Sequence, residues 1–227
     1  METAHATPLA AFLIVLGLAA RAQAYVLCSW LAICPYGSPG FTLTAVDAES
    51  GSPLADVYAW AEWVQYGGHG LNGPIMIQEA RAGADGRLVF PWWGPRFGYR
   101  SGLDIGSDPA VILFKPGYAT QIVQNGERPG MRTIDAIRVF TRNGETLRLQ
   151  RFRGSAVEWV AELRRLVHPG LTSFVSDAQR DRFRVSYLRR LEYVETESAK
   201  LPQDAIEVSQ FRSSLKLDRR FLTGEPQ

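Results

Sequence analysis

Histidines are the first residues to consider for chemistry, because an imidazole changes charge near neutral pH and is a common metal ligand. The chain contains His5, His69 and His168. His69 lies in the glycine-rich stretch 67–70 and has no second ligand at metal spacing. His168 precedes Pro169-Gly170, so we expect it to follow the last turn of a helix and to interact with the helix dipole.

Common catalytic signatures are absent from the sequence, which has no H-E-x-x-H, no G-x-S-x-G and no phosphate-binding loop. We therefore expect no catalytic residues, no metal and no cofactor, and we interpret the protein as non-enzymatic. A hydrolase that uses His69 stays open as an alternative. It would require a buried carboxylate beside that imidazole.

The chain has two cysteines, Cys28 and Cys34. In an oxidising compartment they can form a disulfide that closes a small loop over residues 29–33. A zinc site is the rival interpretation, but two thiols supply only half of its ligands and no histidine lies nearby. The spacing therefore favours a disulfide.

Aromatic residues are the better candidates for binding, and they crowd into one stretch: Tyr58, Trp60, Trp63, Tyr66, Phe90, Trp92, Trp93, Phe97 and Tyr99. In an alternating strand, we expect Trp60 and Trp63 to point to opposite faces. Trp92 and Trp93 lie between Pro91 and Gly94, which indicates a loop. Exposed there, their rings could stack on a sugar or on an apolar patch of a partner protein. Tyr66 and His69 complete this candidate binding set. In the alternative, the tryptophans cap the open end of a sandwich or receive the C-terminal helices.

The N-terminus has the pattern of a signal peptide. Residues 9–18 form an uncharged apolar run, too short to cross a bilayer as a helix, and Ala22-Gln23-Ala24 follows at peptidase spacing. We predict a signal peptide over 1–24, cleaved between Ala24 and Tyr25, and a periplasmic or secreted protein without a transmembrane segment after cleavage. An uncleaved N-terminal anchor is the alternative, because apolar residues resume at Tyr25.

Residues 40–153 alternate short apolar strands with turn dipeptides. Phe41 to Val46 alternates cleanly, Pro116-Gly117 fits a type II turn, and Asn143-Gly144 predicts a hairpin between strands at 138–141 and 146–149. No crossover helices intervene. The pattern therefore predicts a mainly β protein, an antiparallel sandwich of short strands.

Three stretches within this region combine turn and core residues: Ser50 to Val57, Ala84 to Pro91 and Leu113 to Tyr118. They resemble the signatures of carboxypeptidase regulatory-like domains, which are transthyretin-like (prealbumin-like) β-sandwiches. The chain departs from the family pattern in having Ser50 for the usual threonine and Leu88 for the usual aromatic. The resemblance covers about residues 40–125. It implies a non-catalytic accessory module of exported proteins and brings no catalytic residues.

After Arg153 the pattern becomes helical. Ser155 to Glu158 reads as a capping box, a second helix is expected from Ser176-Asp177, and Leu201-Pro202 should separate it from a third. We therefore divide the chain into a signal peptide (1–24), a cysteine-containing segment (25–39), the sandwich (40–153) and a helical segment (154–227).

Charge is unevenly distributed, with residues 25–130 net acidic by about three and residues 131–227 net basic by about five. The basic residues are interspersed with acidic ones, so we expect no nucleic-acid partner. The sequence favours an exported binding or structural module of the cell envelope whose partner is an envelope protein. Carbohydrate binding through Trp92 and Trp93, with a polysaccharide as ligand, is the alternative.

Overall fold

The computed structural model describes residues 33–67, 70–99, 103–105, 109–125, 138–167, 177–202 and 204–225. Within these ranges the strands are β1 (Ile33–Ser38), β2 (Phe41–Asp47), β3 (Tyr58–Gly67), β4 (Gly70–Arg81), β5 (Arg87–Phe90), β6 (Trp93–Tyr99), β7 (Leu103–Ile105), β8 (Ala110–Phe114), β9 (Gln121–Val123) and β10 (Thr146–Leu149). The helices are α1 (Ala156–Val167), α2 (Asp177–Ala199) and α3 (Ile206–Thr223).

The described strands form a small sheet, a large sheet and a two-stranded ribbon. The small sheet has the order β10-β2-β5, and the large sheet has the order β4-β3-β8-β9, with β7 also paired to β3. β1 and β6 pair with each other. All of these ladders are antiparallel except the one between β10 and β2, which is parallel.

One apolar core lies between the small and large sheets. Because side chains alternate between the two faces of a strand, Phe41, Leu43 and Ala45 point into this core while Thr42 and Thr44 point away from it. The largest fully buried residues of the core come from both sheets: Leu43, Leu88, Leu113, Leu147, Leu149, Phe90 and Trp63. The two sheets thus pack face to face, as predicted for a sandwich.

A second core covers the opposite face of the large sheet. Trp60 lies three residues before Trp63 on β3 and therefore faces the other way, together with Ile112 and Phe114 of β8. The helices contribute the remaining members, among them Trp159, Leu163, Tyr187, Leu191, Phe211 and Leu215. The prediction that Trp60 and Trp63 point to opposite faces is confirmed, and the protein has three layers: small sheet, large sheet and helices.

The predicted capping box begins α1. The backbone N–H of Ser155 donates to Glu158 Oε2 at 2.6 Å, and the N–H of Glu158 donates to Ser155 Oγ at 3.3 Å. These bonds satisfy amides that the first helical turn leaves unpaired. The N–H and the hydroxyl of Ser155 both donate to Glu158 Oε2, and these two bonds hold the pKa of Glu158 below its usual range.

The stretches that carry the family resemblance contact one another. Tyr118 Oη donates to Asp47 Oδ2 at 2.8 Å, and Asp47 Oδ1 accepts from the backbone N–H groups of Glu49 and Ser50 at 2.9 Å each. These bonds, mainly those from Ser50 and Tyr118, hold the pKa of Asp47 far below its usual range. Lys115 Nζ donates to the carbonyl of Ala55 at 2.7 Å, so the signature residues tie turns together.

The predicted hairpin at Asn143-Gly144 is wrong. Residues 138–140 form no strand, and β10 pairs in parallel with β2. The turn itself is bonded to β2, because Thr42 N–H donates to Asn143 Oδ1 at 2.9 Å and Gly144 N–H donates to the Thr42 carbonyl at 2.8 Å. Gly144 does adopt the positive φ that the turn prediction required, at 81°.

Several predictions fall on residues outside the described ranges. They are the signal peptide 1–24 with its Ala24–Tyr25 cleavage site, Cys28, His69 and His168, so the disulfide stays a prediction. The side chains of Cys34 and Tyr66 are also outside the described part, although their backbones lie in β1 and β3. Among the described helices, none combines the length and the apolar character needed to cross a membrane.

Candidate binding surface

The outer face of the small sheet is the surface that the other layers leave uncovered. Its residues alternate with buried core residues along three strands: Thr42, Thr44, Arg87, Val89, Thr146 and Arg148. The helices pack on the large sheet instead, since their core partners come from β3, β4 and β8. We call these six residues the outer face.

Two arginines give the outer face its charge. Arg87 and Arg148 lie on the two edge strands, with Thr44 of β2 between them in register with Arg87 and with Thr146. Both arginines are exposed, and neither pairs with an acidic side chain of the described residues. Neighbouring strands lie about 4.8 Å apart, so the two edge strands that carry these arginines are about 10 Å apart. Arg148 is in register with Val46, two residues further along β2 than Thr44.

A groove opens beside Arg148, where the edge of the small sheet meets the edge of the large one. It has a volume of about 200 Å³ and is lined by Ala119, Thr120, Gln121, Arg148, Leu149 and Gln150. Ala119 N–H donates to the Gln150 carbonyl at 2.9 Å and closes the seam at this point. The Gln121 side-chain oxygen is buried and has no hydrogen-bond partner. We call this feature the seam groove.

The structure separates the two tryptophans that the sequence placed together as a binding platform. Trp92 is 62% exposed, whereas Trp93 is 5% exposed and packs edge-on against Trp63, with 5.5 Å between the ring centroids. Trp93 therefore has no face to offer to a ligand, which corrects the expectation of an exposed pair. Trp93 is instead a member of the core between the two sheets.

A buried charged cluster lies between β3 and α2, and none of its members was singled out from the sequence. Tyr187 Oη donates to Glu62 Oε1 at 2.8 Å, and both side chains are buried. Arg190 is 1% exposed, and none of its three guanidinium nitrogens has a hydrogen-bond partner. Its guanidinium instead lies over the ring of Trp60.

Burial sets the electrostatics of this cluster. It raises the pKa of Glu62, while the positive charge of Arg190 and the Tyr187 hydrogen bond oppose that rise. Burial likewise lowers the pKa of Arg190, and the negative charge of Glu62 opposes that change. Because both groups are buried among core residues, we interpret the cluster as part of the contact between sheet and helices rather than as a ligand site.

At the rim of the cluster, Glu79 Oε2 of β4 accepts from Tyr58 Oη and from Arg189 Nη1, each at 2.7 Å. Burial raises the pKa of Tyr58, and its hydrogen bond to the Glu79 carboxylate raises it further. Arg189 is half-exposed, so this second arginine of α2 reaches solvent.

Comparison with known proteins assigns no family. No protein-family model matches the chain, and no curated protein matches it in sequence. In the described residues, no group of three or more His, Cys, Asp or Glu side chains is arranged to hold a metal ion.

A weak sequence signal for the cluster did exist. Glu62 lies between Trp60 and Val64 on a strand that is otherwise aromatic and small apolar, and a charged residue there must be paired if the strand is buried on both faces. Its hydrogen-bond partner, Tyr187 on α2, lies 125 positions later in the sequence. The outer face could be recognised only after the helices were placed on the other sheet.

Proposed function

We propose that the protein is an exported, non-enzymatic protein-binding module of the cell envelope, built on a transthyretin-like sandwich similar to carboxypeptidase regulatory-like domains. The fold assignment is supported by the bond from Lys115 Nζ to the Ala55 carbonyl, which joins two of the signature stretches, and by Asp47, which accepts from Ser50 N–H and Tyr118 Oη of the same two stretches. The export assignment is supported by the N-terminal pattern over 1–24 and by the spacing of Cys28 and Cys34.

The uncovered outer face is the observation that carries the binding role. It combines threonine hydroxyls, the exposed side chain of Val89 and two arginines that pair with no acidic side chain of the described residues. Arginine is enriched at protein–protein interfaces, where its planar guanidinium binds carboxylates and backbone carbonyls. An unpaired arginine can form such contacts without first breaking an ion pair of its own.

Site-directed photo-cross-linking in envelope extracts tests this function. A photo-reactive amino acid at Thr44, in the centre of the outer face, should cross-link to a specific protein of the envelope. The matched control places the same probe at Val185, which is 63% exposed on α2 and far from the small sheet. Cross-linking from Val185 but not from Thr44, or from neither position, would contradict a partner on the outer face.

Carbohydrate binding is the second candidate function, and the 62% exposure of Trp92 is the observation that favours it. Trp92 follows β5, and its backbone lies close to Gly40, which precedes β2. Retention of the protein on peptidoglycan or on an envelope polysaccharide, lost in Trp92→Ala, would replace the proposed protein-binding function with this one. The His69 hydrolase hypothesis gains no support from the described residues.

A further inference from the structure

We propose that the seam groove is the point at which the partner binds, and that it takes an extended acidic segment of the partner chain. This inference rests on the proposed protein-binding function and specifies its ligand. It combines two edge strands, an unpaired cation and an unpaired buried acceptor at one place.

The edge strands favour an extended ligand. Among the described strands, β9 ends the large sheet and β10 ends the small sheet, and each of them pairs with a described strand on one side only. Edge strands can bind a further strand through backbone hydrogen bonds, and this is a recurrent mode of peptide recognition. The bonds from Ala119 N–H to Gln150 and from Phe152 N–H to Gly117 hold the two edges together, and the groove lies beside them.

The lining supplies both a donor and an acceptor for such a segment. Among the described residues that line the groove, Arg148 is the charged one, and it forms no ion pair with a described residue; the nearby carboxylate of Glu162 is bonded to the backbone N–H of Thr120 at 2.7 Å. A glutamate or aspartate of the ligand would satisfy it through a charge-assisted hydrogen bond. The Gln121 side-chain oxygen, which lacks a hydrogen-bond partner among the described residues, would accept from a backbone N–H of the same segment.

The size of the groove also favours a chain over a small molecule. At about 200 Å³ it is smaller than the 300–1,000 Å³ typical of small-molecule sites. It can take one or two side chains of a longer segment. The rest of that segment would continue along the edge of the small sheet beside β10, whose exposed residues are Thr146 and Arg148.

Defined peptides test the proposal on the full chain by fluorescence anisotropy. The probe is a labelled peptide of about ten residues in which Glu and Val alternate, a length typical of one strand. The comparison ligands are the Lys–Val and Gln–Val peptides of the same length and an oligogalacturonate. We expect the Glu–Val peptide to bind more tightly than all three, with an affinity that falls as the salt concentration rises.

Two arginine variants locate the site. Arg148→Glu should weaken binding of the Glu–Val peptide at least about tenfold, because it replaces the cation of the groove by a like charge. Arg87→Glu is the matched control, since Arg87 is exposed and unpaired on the same face but lies on the opposite edge strand. We expect it to weaken binding less than about threefold. Both variants should unfold at the wild-type temperature, because neither removes a contact.

Several outcomes would overturn the inference. They are no binding of the Glu–Val peptide to the wild type, equal losses in Arg148→Glu and Arg87→Glu, or tighter binding of oligogalacturonate. If Thr44 still cross-links to an envelope protein in those cases, the proposed function stands and only its ligand is wrong. If Thr44 captures nothing, the function itself fails.

Discussion

The guanidinium of Arg190 lies 3.5 Å above the centroid of the Trp60 ring, and both side chains are 1% exposed. Trp60 belongs to β3 and Arg190 to α2, so this cation–π contact joins the large sheet to the helices. The Tyr187 ring packs edge-on against Trp60, with 5.2 Å between the centroids, and also lies near the guanidinium. A desolvated cation over an aromatic face gains about 2 kcal/mol, which offsets part of the cost of burying the charge.

Glu62 and Arg190 should therefore be energetically coupled. Removing one member of a buried charged pair leaves the other uncompensated, at a cost of about 3–5 kcal/mol, whereas replacing both is close to neutral. We expect Arg190→Met to lower the free energy of unfolding, because it leaves the Glu62 carboxylate uncompensated, and to lower it less in the Glu62→Gln background than in the wild type. Urea unfolding of the four proteins measures this coupling.

Arg189→Met is the matched control for this cycle. Arg189 neighbours Arg190 on α2 and pairs with Glu79, but its side chain is 52% exposed. Exposed ion pairs contribute about 0–1 kcal/mol, so we expect a small effect. Additive losses in the Glu62/Arg190 cycle, or an Arg189 variant as unstable as Arg190→Met, would refute the coupling.

The raised pKa of Glu62 also predicts how stability depends on pH. Burial makes the folded state hold this proton more tightly than the unfolded state, whose glutamate titrates at about 4.3. The contribution of Glu62 is therefore greatest below that pH and is lost as the pH rises through the raised pKa. Because Glu62→Gln cannot titrate, its free energy of unfolding should decline less than that of the wild type between about pH 4.3 and neutrality. Parallel curves for the two proteins over this range would exclude Glu62 as the titrating group.

Local patterns in the sequence predicted where strands and helices form better than they predicted which elements pair or pack together. Alternation placed Trp60 and Trp63 on opposite faces of one strand, and the Ser155–Glu158 spacing located the start of α1, since both depend only on neighbours in the chain. The parallel pairing of β10 with β2 was missed because the Asn143-Gly144 turn bonds to Thr42, about a hundred residues earlier. Nothing in the local sequence distinguishes Arg190 from the exposed arginines of α2, because its burial depends on the contact of α2 with Trp60 of β3.

The unequal burial of Trp92 and Trp93 predicts unequal effects of substitution. Trp93→Ala would leave a cavity against Trp63, and such changes cost about 3–5 kcal/mol. Trp92→Ala removes an exposed ring, so its effect on the free energy of unfolding should stay within about 0.5 kcal/mol. Thermal and urea unfolding of the two variants provide the comparison.

For a glycan site only Trp92→Ala is informative, because a loss of binding in Trp93→Ala would reflect the loss of a core side chain. Similar stabilities for the two variants would contradict the burial of Trp93.

Gly86 belongs to the signature stretch Ala84 to Pro91, and Gly144 has a similar backbone angle. Comparing alanine substitutions at the two glycines separates the cost of a steric clash at Gly86 from the cost of the backbone angle. Gly86 has a φ of 71° and Gly144 a φ of 81°, a region that disfavours any residue with a Cβ. A Cβ at Gly86 would overlap the carbonyl oxygen of Ala45, whose own N–H donates to the Gly86 carbonyl at 2.9 Å, whereas a Cβ at Gly144 would meet no atom within 4 Å. Gly144→Ala should therefore cost about 1 kcal/mol, from the backbone angle alone. Gly86→Ala should cost about 3 kcal/mol or more, because the small sheet must move away from the turn. If the two variants lose equal free energies of unfolding in urea, the contact with Ala45 does not constrain residue 86. Glycine would then be needed there only for its positive φ.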